Sequence, residues 1–100
     1  MRDVRRHTAS VHEHAGGVRA GENLIKNEGA PPGVHGLQFY PARDRTGATC
    51  LWEDPSVEAI QRHVDTTLGD FSVNTCYEVD AAQAFMQQPS GIREFAAITP

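Results

Sequence analysis

A proline-rich loop near residue 30 is the feature that most constrains how this chain can fold. The loop Glu28-Gly-Ala-Pro-Pro-Gly33 sets two adjacent prolines between glycines, and such a run can continue neither a helix nor a strand. The chain has 100 residues, which is room for one domain. We therefore expect residues 1–100 to form a single fold, in which residues 1–30 are the less clearly defined part.

The residues after this loop predict two strands joined by a turn. Val34–Tyr40 alternates apolar residues with polar or small ones, and Pro41 should end the strand. Residues 42–47 are polar and close on a glycine, which suits a hairpin. Residues 47–53 would then return antiparallel to the first strand.

A helix and a further strand should follow the hairpin. Asp54-Pro55-Ser56 offers side-chain acceptors for a helix start and a proline that a first turn tolerates. Apolar residues then recur at steps of three and four up to Gly69, which should end the helix. These residues are Val57, Ile60, Val64 and Leu68. Because residues 73–79 are rich in β-branched and aromatic side chains, they predict a strand, and residues 34–79 read β-β-α-β.

The N-terminal third holds fewer large apolar residues. Val4, Ala9 and Val11 can supply a first strand, and a helix over Val18–Asn27 is possible although Gly21 lies within it. The complete order is then β-α-β-β-α-β. This order predicts an α+β fold of the ferredoxin-like type, an antiparallel sheet with both helices on one face.

Two further segments follow the last predicted strand. Residues 80–88 could form a short amphipathic helix through Ala81, Ala84 and Phe85, which Pro89 would end. Residues 89–100 are expected to be a peripheral tail.

The predicted sheet carries apolar side chains on both faces. Successive residues of a strand point to opposite faces, so Cys50 and Trp52 share one side and Leu51 takes the other. In the last strand, Tyr77 opposes Cys76 in the same way. Two helices can cover only one face, so we expect the other face to meet a second copy of the chain or to enclose a ligand cavity. A lightly apolar face exposed to water is the simpler alternative.

The charge and composition narrow the possible partners. Lys and Arg number 9 against 13 Asp and Glu, a formal charge of -4, so we expect no nucleic-acid partner. No apolar run reaches the ~20 residues of a membrane span, and the N-terminus lacks the apolar core of a secretory signal, so a cytoplasmic protein is expected. Cys50 and Cys76 are too few for a disulfide framework.

An ungapped pattern runs from the proline-rich loop through the hairpin and into the helix. It consists of Gly33-Val34, Tyr40, Asp44, Cys50, Trp52-Glu53, Pro55 and Glu58-Ala59-Ile60. With the ending Glu78-Val79, this pattern resembles a family of small ferredoxin-like proteins that are labelled a domain of unknown function or nickel-binding. The chain departs from the family at Gly36, Phe39 and Asp54, where an aromatic residue, a serine and an alanine are usual. The resemblance implies a ferredoxin-like fold, a dimeric α/β barrel and, in some members, nickel binding.

The densest group of possible metal ligands lies near the N-terminus. His7 is followed by His12-Glu13-His14, and imidazoles with a carboxylate suit nickel, copper or zinc. In a strand, His12 and His14 would share one face at about 7 Å and could bind one ion. A solvated arm is the alternative for so polar a segment.

Two further groups are candidates for a site. His35, His63 and Cys50 could meet if the helix crosses the hairpin, although Cys50 could equally be a small core residue. A pocket for a small apolar ligand would form if the sheet encloses a cavity, and core packing is the alternative for its residues. The expected lining residues are Phe39, Tyr40, Cys50, Trp52 and Tyr77.

These features predict a homodimer that binds a small apolar ligand or a transition metal, with nickel or another divalent ion as its cofactor. The alternative is a small dimeric-barrel enzyme, similar to a monooxygenase or an isomerase, acting on an apolar substrate. A structural interaction module is a third possibility. The chain contains none of the common nucleotide-binding or hydrolase motifs.

Overall fold

A computed structural model describes residues 6–13, 31–68 and 72–94. Its elements are β1 (Arg6–Glu13), β2 (His35–Pro41), β3 (Gly47–Asp54), α1 (Val57–Leu68) and β4 (Val73–Val79). The strands form one four-stranded sheet in the order β2-β3-β1-β4, and every neighbouring pair is antiparallel. The α+β class is therefore confirmed, and the four elements predicted after the proline-rich loop agree with the structure to within one residue.

The prediction is only partly met for the elements outside that unit. The helix expected over Val18–Asn27 lies outside the described residues, so the described part contains one helix and not the complete six-element pattern. The helix expected over residues 80–88 is wrong. A single turn forms there, in which the Gln83 and Ala84 N–H groups both donate to the Asp80 carbonyl at 3.0 Å. Because Phe85 is 96% exposed and packs against nothing, a helix this short lacks tertiary support.

The hairpin between β2 and β3 is closed by the polar residues that predicted it. The Ala42 N–H donates to the Gly47 carbonyl at 2.9 Å, and Asp44 Oδ1 accepts from the Thr46 N–H at 3.1 Å and the Thr46 hydroxyl at 2.7 Å. Gly47 also meets β1 closely, because a Cβ atom there would overlap the His12 carbonyl. The hydrogen bonds of the turn and the close approach of Gly47 to β1 thus both help to fix the register of β3 against its neighbours.

The two faces of the sheet differ in what covers them. The inner face is the one on which Trp52 and Cys50 lie under α1, together with Thr8, Ser10 and His12 of β1. The buried apolar core consists of Val34, Cys50, Trp52, Ile60, Val64 and Leu68. The helix begins where predicted, since the Ser56 hydroxyl oxygen accepts the Ala59 N–H at 3.2 Å.

The opposite side, called the open face, carries His7, Ala9 and Val11 of β1 together with Leu51 and Tyr77. No described helix packs on it. The segment after β4 reaches the β2 side of the open face, because Gln38 Nε2 of β2 donates to Met86 Sδ at 3.8 Å. The prediction that apolar side chains lie on both faces is therefore confirmed for Leu51 and Tyr77.

Candidate functional site

Three side chains of the ligand type lie in one row across the open face. The strand register sets His35 of β2 directly opposite Glu53 of β3, and Glu53 directly opposite His7 of β1. Directly paired residues point to the same face, with Cβ atoms about 4.5–5.5 Å apart. His7 Nε2 lies 3.6 Å from Glu53 Oε2, and His35 is exposed. The result is a row of imidazole, carboxylate and imidazole at one end of the open face.

The reach of these side chains matches the spacing of the row. The two histidine Cβ atoms are about 10 Å apart, twice the spacing of paired strands. Each imidazole can hold an ion roughly 6 Å from its Cβ, counting a metal–nitrogen bond of about 2.1 Å. An ion above Glu53 would thus be within reach of both rings. In the conformation seen, no three His, Cys, Asp or Glu side chains of residues 6–13, 31–68 and 72–94 converge as a metal site.

Sequence reasoning did not find this row. Its members are separated by 28 and 18 positions in the chain, and only the pairing of three strands brings them together. The pairing of β1 with β3 was the missing information, since the N-terminal histidines were read as a local group.

A chain of hydrogen bonds runs through the inner face. The Trp52 indole N–H donates to Ser10 Oγ at 2.9 Å, and Ser10 Oγ lies 2.8 Å from His12 Nε2. His12 Nδ1 lies 2.8 Å from Asn74 Oδ1, and Asn74 Nδ2 donates to Asp65 Oδ1 at 2.9 Å. The Asn74 Oδ1 atom can only accept, so His12 Nδ1 carries a proton and donates to it. In the neutral ring Nε2 then keeps a lone pair, and the Ser10 hydroxyl donates to it.

The burial of His12 and its hydrogen bonds bear on the protonation state of its imidazole. The side chain is 2% exposed, and burial lowers the pKa of the imidazole, although the hydrogen bond to Asn74 and the charge of Asp65 act in the other direction. Burial thus favours the neutral ring, in which Nε2 accepts from the Ser10 hydroxyl. Both ring nitrogens are engaged, so a metal ion on His12 would have to displace Ser10 or Asn74. His14 lies outside the described residues, and the predicted His12–His14 site stays a prediction.

The sequence Ser10, His12, Asn74 has the order of a nucleophile, base and orienting residue, but its position argues against that role. Ser10 is fully buried, and its oxygen already accepts the Trp52 N–H. A substrate approaching from solvent cannot reach this hydroxyl. The network instead ties β1, β3 and β4 together beneath α1, which makes it a structural element of the core.

The five predicted pocket residues do not line one cavity, and this is a correction. Phe39, Cys50 and Trp52 lie on the inner face, where they belong to or pack against the core. Tyr40 pairs with Thr49 and Tyr77 pairs with Ala9, both on the open face. Adjacent residues of a strand point to opposite faces, so Phe39 and Tyr40 cannot line one cavity, and the bulge between Gly36 and Gln38 decides that Phe39 is the one on the inner face.

The second candidate group is also dispersed. His35 is on the open face, whereas His63 packs edge-on against Trp52 at a ring distance of 5.7 Å. Burial raises the pKa of the Cys50 thiol to about 12 and lowers the pKa of His63. Cys50 therefore behaves as the small core residue that was the alternative.

A buried carboxylate at the end of β3 gives a first testable prediction. Asp54 is 3% exposed, neither of its oxygens has a hydrogen-bond partner of good geometry, and burial raises its pKa. A raised pKa in the folded state means that stability is highest in acid and is lost as the pH rises from about 3.8 through the folded value. Asp54→Asn should thus raise the free energy of unfolding at pH 7 by about 1 kcal/mol. Urea unfolding at pH 3 and pH 7 measures this, and an equal effect at both would contradict it.

Comparison of the chain with models of known families, with curated proteins and with solved structures found no match. Within the described part of the chain, no helix has the length and apolar character needed to span a membrane.

Proposed function

We propose that this protein binds one divalent transition-metal ion, nickel or zinc in type, on the open face of its sheet, with His7, Glu53 and His35 as ligands. The observation that carries the proposal is the register that sets these three residues side by side. His7 and Glu53 are already close, at 3.6 Å between nitrogen and oxygen. The ring of His35 is exposed, so its rotation toward Glu53 would complete the set.

The chemistry of the row favours this class of ion. Imidazole nitrogen suits nickel, copper, zinc and iron, while a single carboxylate adds charge without excluding them. Three protein ligands leave coordination positions for water or a small molecule, as in metal sites that bind a further ligand. The site would therefore be suited to holding an ion that exchanges, or that itself binds a small anion.

Calorimetric titration with nickel and zinc chloride tests the proposal. The protein should bind about one equivalent per chain, and His7→Ala, His35→Ala and Glu53→Gln should each weaken binding by more than tenfold. Loss of a direct ligand costs more than the 10–100-fold typical of a residue that merely orients one. All three side chains are at least partly exposed, so the variants should keep their fold.

His14→Ala is the matched control, because it removes a histidine of the predicted His12–His14 site and leaves His7, Glu53 and His35 unchanged. Its binding should equal that of the unaltered chain. Binding that is lost in His14→Ala but kept in His7→Ala and His35→Ala would assign the ion to the N-terminal group instead. Absence of binding to the unaltered chain would end the proposal.

A small apolar ligand is the second candidate, and the small residue at the centre of the open face favours it. Ala9 lies at the centre of the sheet between Leu51 and Tyr77, and it is 7% exposed whereas Tyr77 is 57% exposed. A small residue flanked by larger ones gives a shallow groove. The enzymatic alternative, a monooxygenase-like or isomerase-like protein, would use the same groove for its substrate.

The finer fold is part of the proposal. The order β2-β3-β1-β4 with antiparallel neighbours supports the ferredoxin-like arrangement. A helix over Val18–Asn27 would complete it. The resemblance to the nickel-binding ferredoxin-like family is likewise part of the proposal, and the metal titration tests it.

A further inference from the structure

The two edges of the sheet are protected to different degrees. The β2 edge carries a bulge between Gly36 and Gln38 and ends in Pro41, and both features obstruct pairing with another strand. Within the described residues the β4 edge has neither, since Val73–Val79 contains no proline or lysine, carries Glu78 as its one charged residue and pairs with β1 in unbroken register. Natural edge strands are usually blocked, so an unblocked one indicates a partner strand.

The exposed apolar side chains of the sheet are concentrated on this same strand. Val73 is 63% exposed and Tyr77 57%, whereas Val11 and Leu37 are 36% and 39% exposed. A strand added beside β4 would cover the flanks of Val73 and Tyr77. The unblocked edge and the exposed apolar residues are separate observations that indicate the same place.

The sequence of β4 is complementary to itself. An antiparallel pairing of two copies about Cys76 sets Val73 opposite Val79, Asn74 opposite Glu78, Thr75 opposite Tyr77 and Cys76 opposite Cys76. Pairs of aliphatic residues and of a β-branched with an aromatic residue stabilise antiparallel sheets, and no like charges oppose each other. Two-fold symmetry requires this kind of self-complementary surface.

We propose that β4 pairs antiparallel with β4 of a second copy, about a two-fold axis at Cys76, to form one continuous eight-stranded sheet. One contact of the single chain bears on this edge, because Gln61 Nε2 donates to the Asn74 carbonyl at 2.9 Å. A carbonyl oxygen has two lone pairs and can accept a second bond from the partner strand. Pairing at this edge leaves the open face accessible, including His7, Glu53 and His35, and it stands independently of the metal site.

Charge substitutions at one cross-strand pair test the register. Thr75→Lys with Tyr77→Lys sets lysine against lysine twice in the dimer, whereas Thr75→Lys with Tyr77→Glu sets lysine against glutamate. Light scattering over a dilution series should show a dimer for the unaltered chain and for the lysine–glutamate variant. The dissociation constant of the lysine–lysine variant should be roughly tenfold higher or more. Both positions are exposed, and thermal unfolding checks that each variant is folded.

The same experiment separates edge pairing from packing through the open face. Dimers packed face to face would bury the new charges in both variants, so equal dissociation of the two overturns the proposal, as does a monomeric unaltered chain. Oxidation with copper phenanthroline gives a second readout. Paired Cα atoms at the axis are about 4.5–5.5 Å apart, within the range of a disulfide. A covalent dimer should form with the unaltered chain and not with Cys76→Ser, and its absence would contradict the register.

Discussion

Replacing Trp52 by alanine should lower the free energy of unfolding by about 3–5 kcal/mol. The indole is fully buried within the core that α1 closes, in edge-on contact with His63. A domain of this size has a total stability of about 5–15 kcal/mol, so the variant should be partly unfolded at 37 °C. Because the only tryptophan is removed, urea unfolding should be followed by circular dichroism.

Trp52→Phe is the matched control for this change. It keeps an aromatic ring in the core but deletes the N–H that donates to Ser10 Oγ. We expect a smaller loss, of about 1–2 kcal/mol, from the missing hydrogen bond and the reduced volume. If both substitutions had the same effect, the core would be insensitive to the volume of this side chain, and the packing account would be wrong.

His12→Ala should lower the free energy of unfolding by about 2–4 kcal/mol, because it cuts the hydrogen-bond chain at its centre. The Ser10 hydroxyl would lose its acceptor and Asn74 Oδ1 one of its donors, each in a buried or partly buried place. Each buried polar group without a partner costs about 1–3 kcal/mol. Urea unfolding at pH 7 measures the loss. A loss below 0.5 kcal/mol would mean that the network contributes no stability.

The same substitution should change how stability depends on pH. Burial lowers the pKa of His12, so the unfolded chain binds a proton more readily than the folded one below about pH 6.5. Stability from this residue is therefore present above pH 6.5 and is lost as the pH falls through the folded value. His12→Ala should flatten that part of the profile. His63 also has a lowered pKa, so His63→Ala is the control that should leave the contribution of His12 in place.

Local patterns were sufficient for the hairpin, α1 and β4. Each of these elements has a period of two or near 3.6 in its apolar residues and recognisable turn or cap chemistry at its ends, such as Asp44 and Ser56. The central strand β1 was harder to predict, because its inner residues Thr8, Ser10 and His12 are polar and buried. Their burial depends on partners such as Trp52, which lies far away in the sequence.

The site residues were harder to predict than the fold for a related reason. Alternation along one strand predicted correctly that Cys50 and Trp52 share a face, but it carried no information on the bulge in β2 or on the neighbours of β1. The row of His35, Glu53 and His7 exists only through two pairings between strands. The failed helix over residues 80–88 shows the converse case, in which a suitable local pattern leaves its apolar residue Phe85 exposed and gains no packing.

The sheet has one obstructed edge and one unobstructed edge, and this difference also limits how large an assembly can grow. Strand addition that repeats without end requires two receptive margins on every chain, as in fibrils. Here the bulge and Pro41 leave β2 unsuited to accept another strand, so a chain that joins through β4 has no second margin to offer. If two copies pair through β4 as proposed, growth should stop at two chains, and Pro41→Thr, which makes the β2 edge more receptive, should promote larger assemblies at high protein concentration.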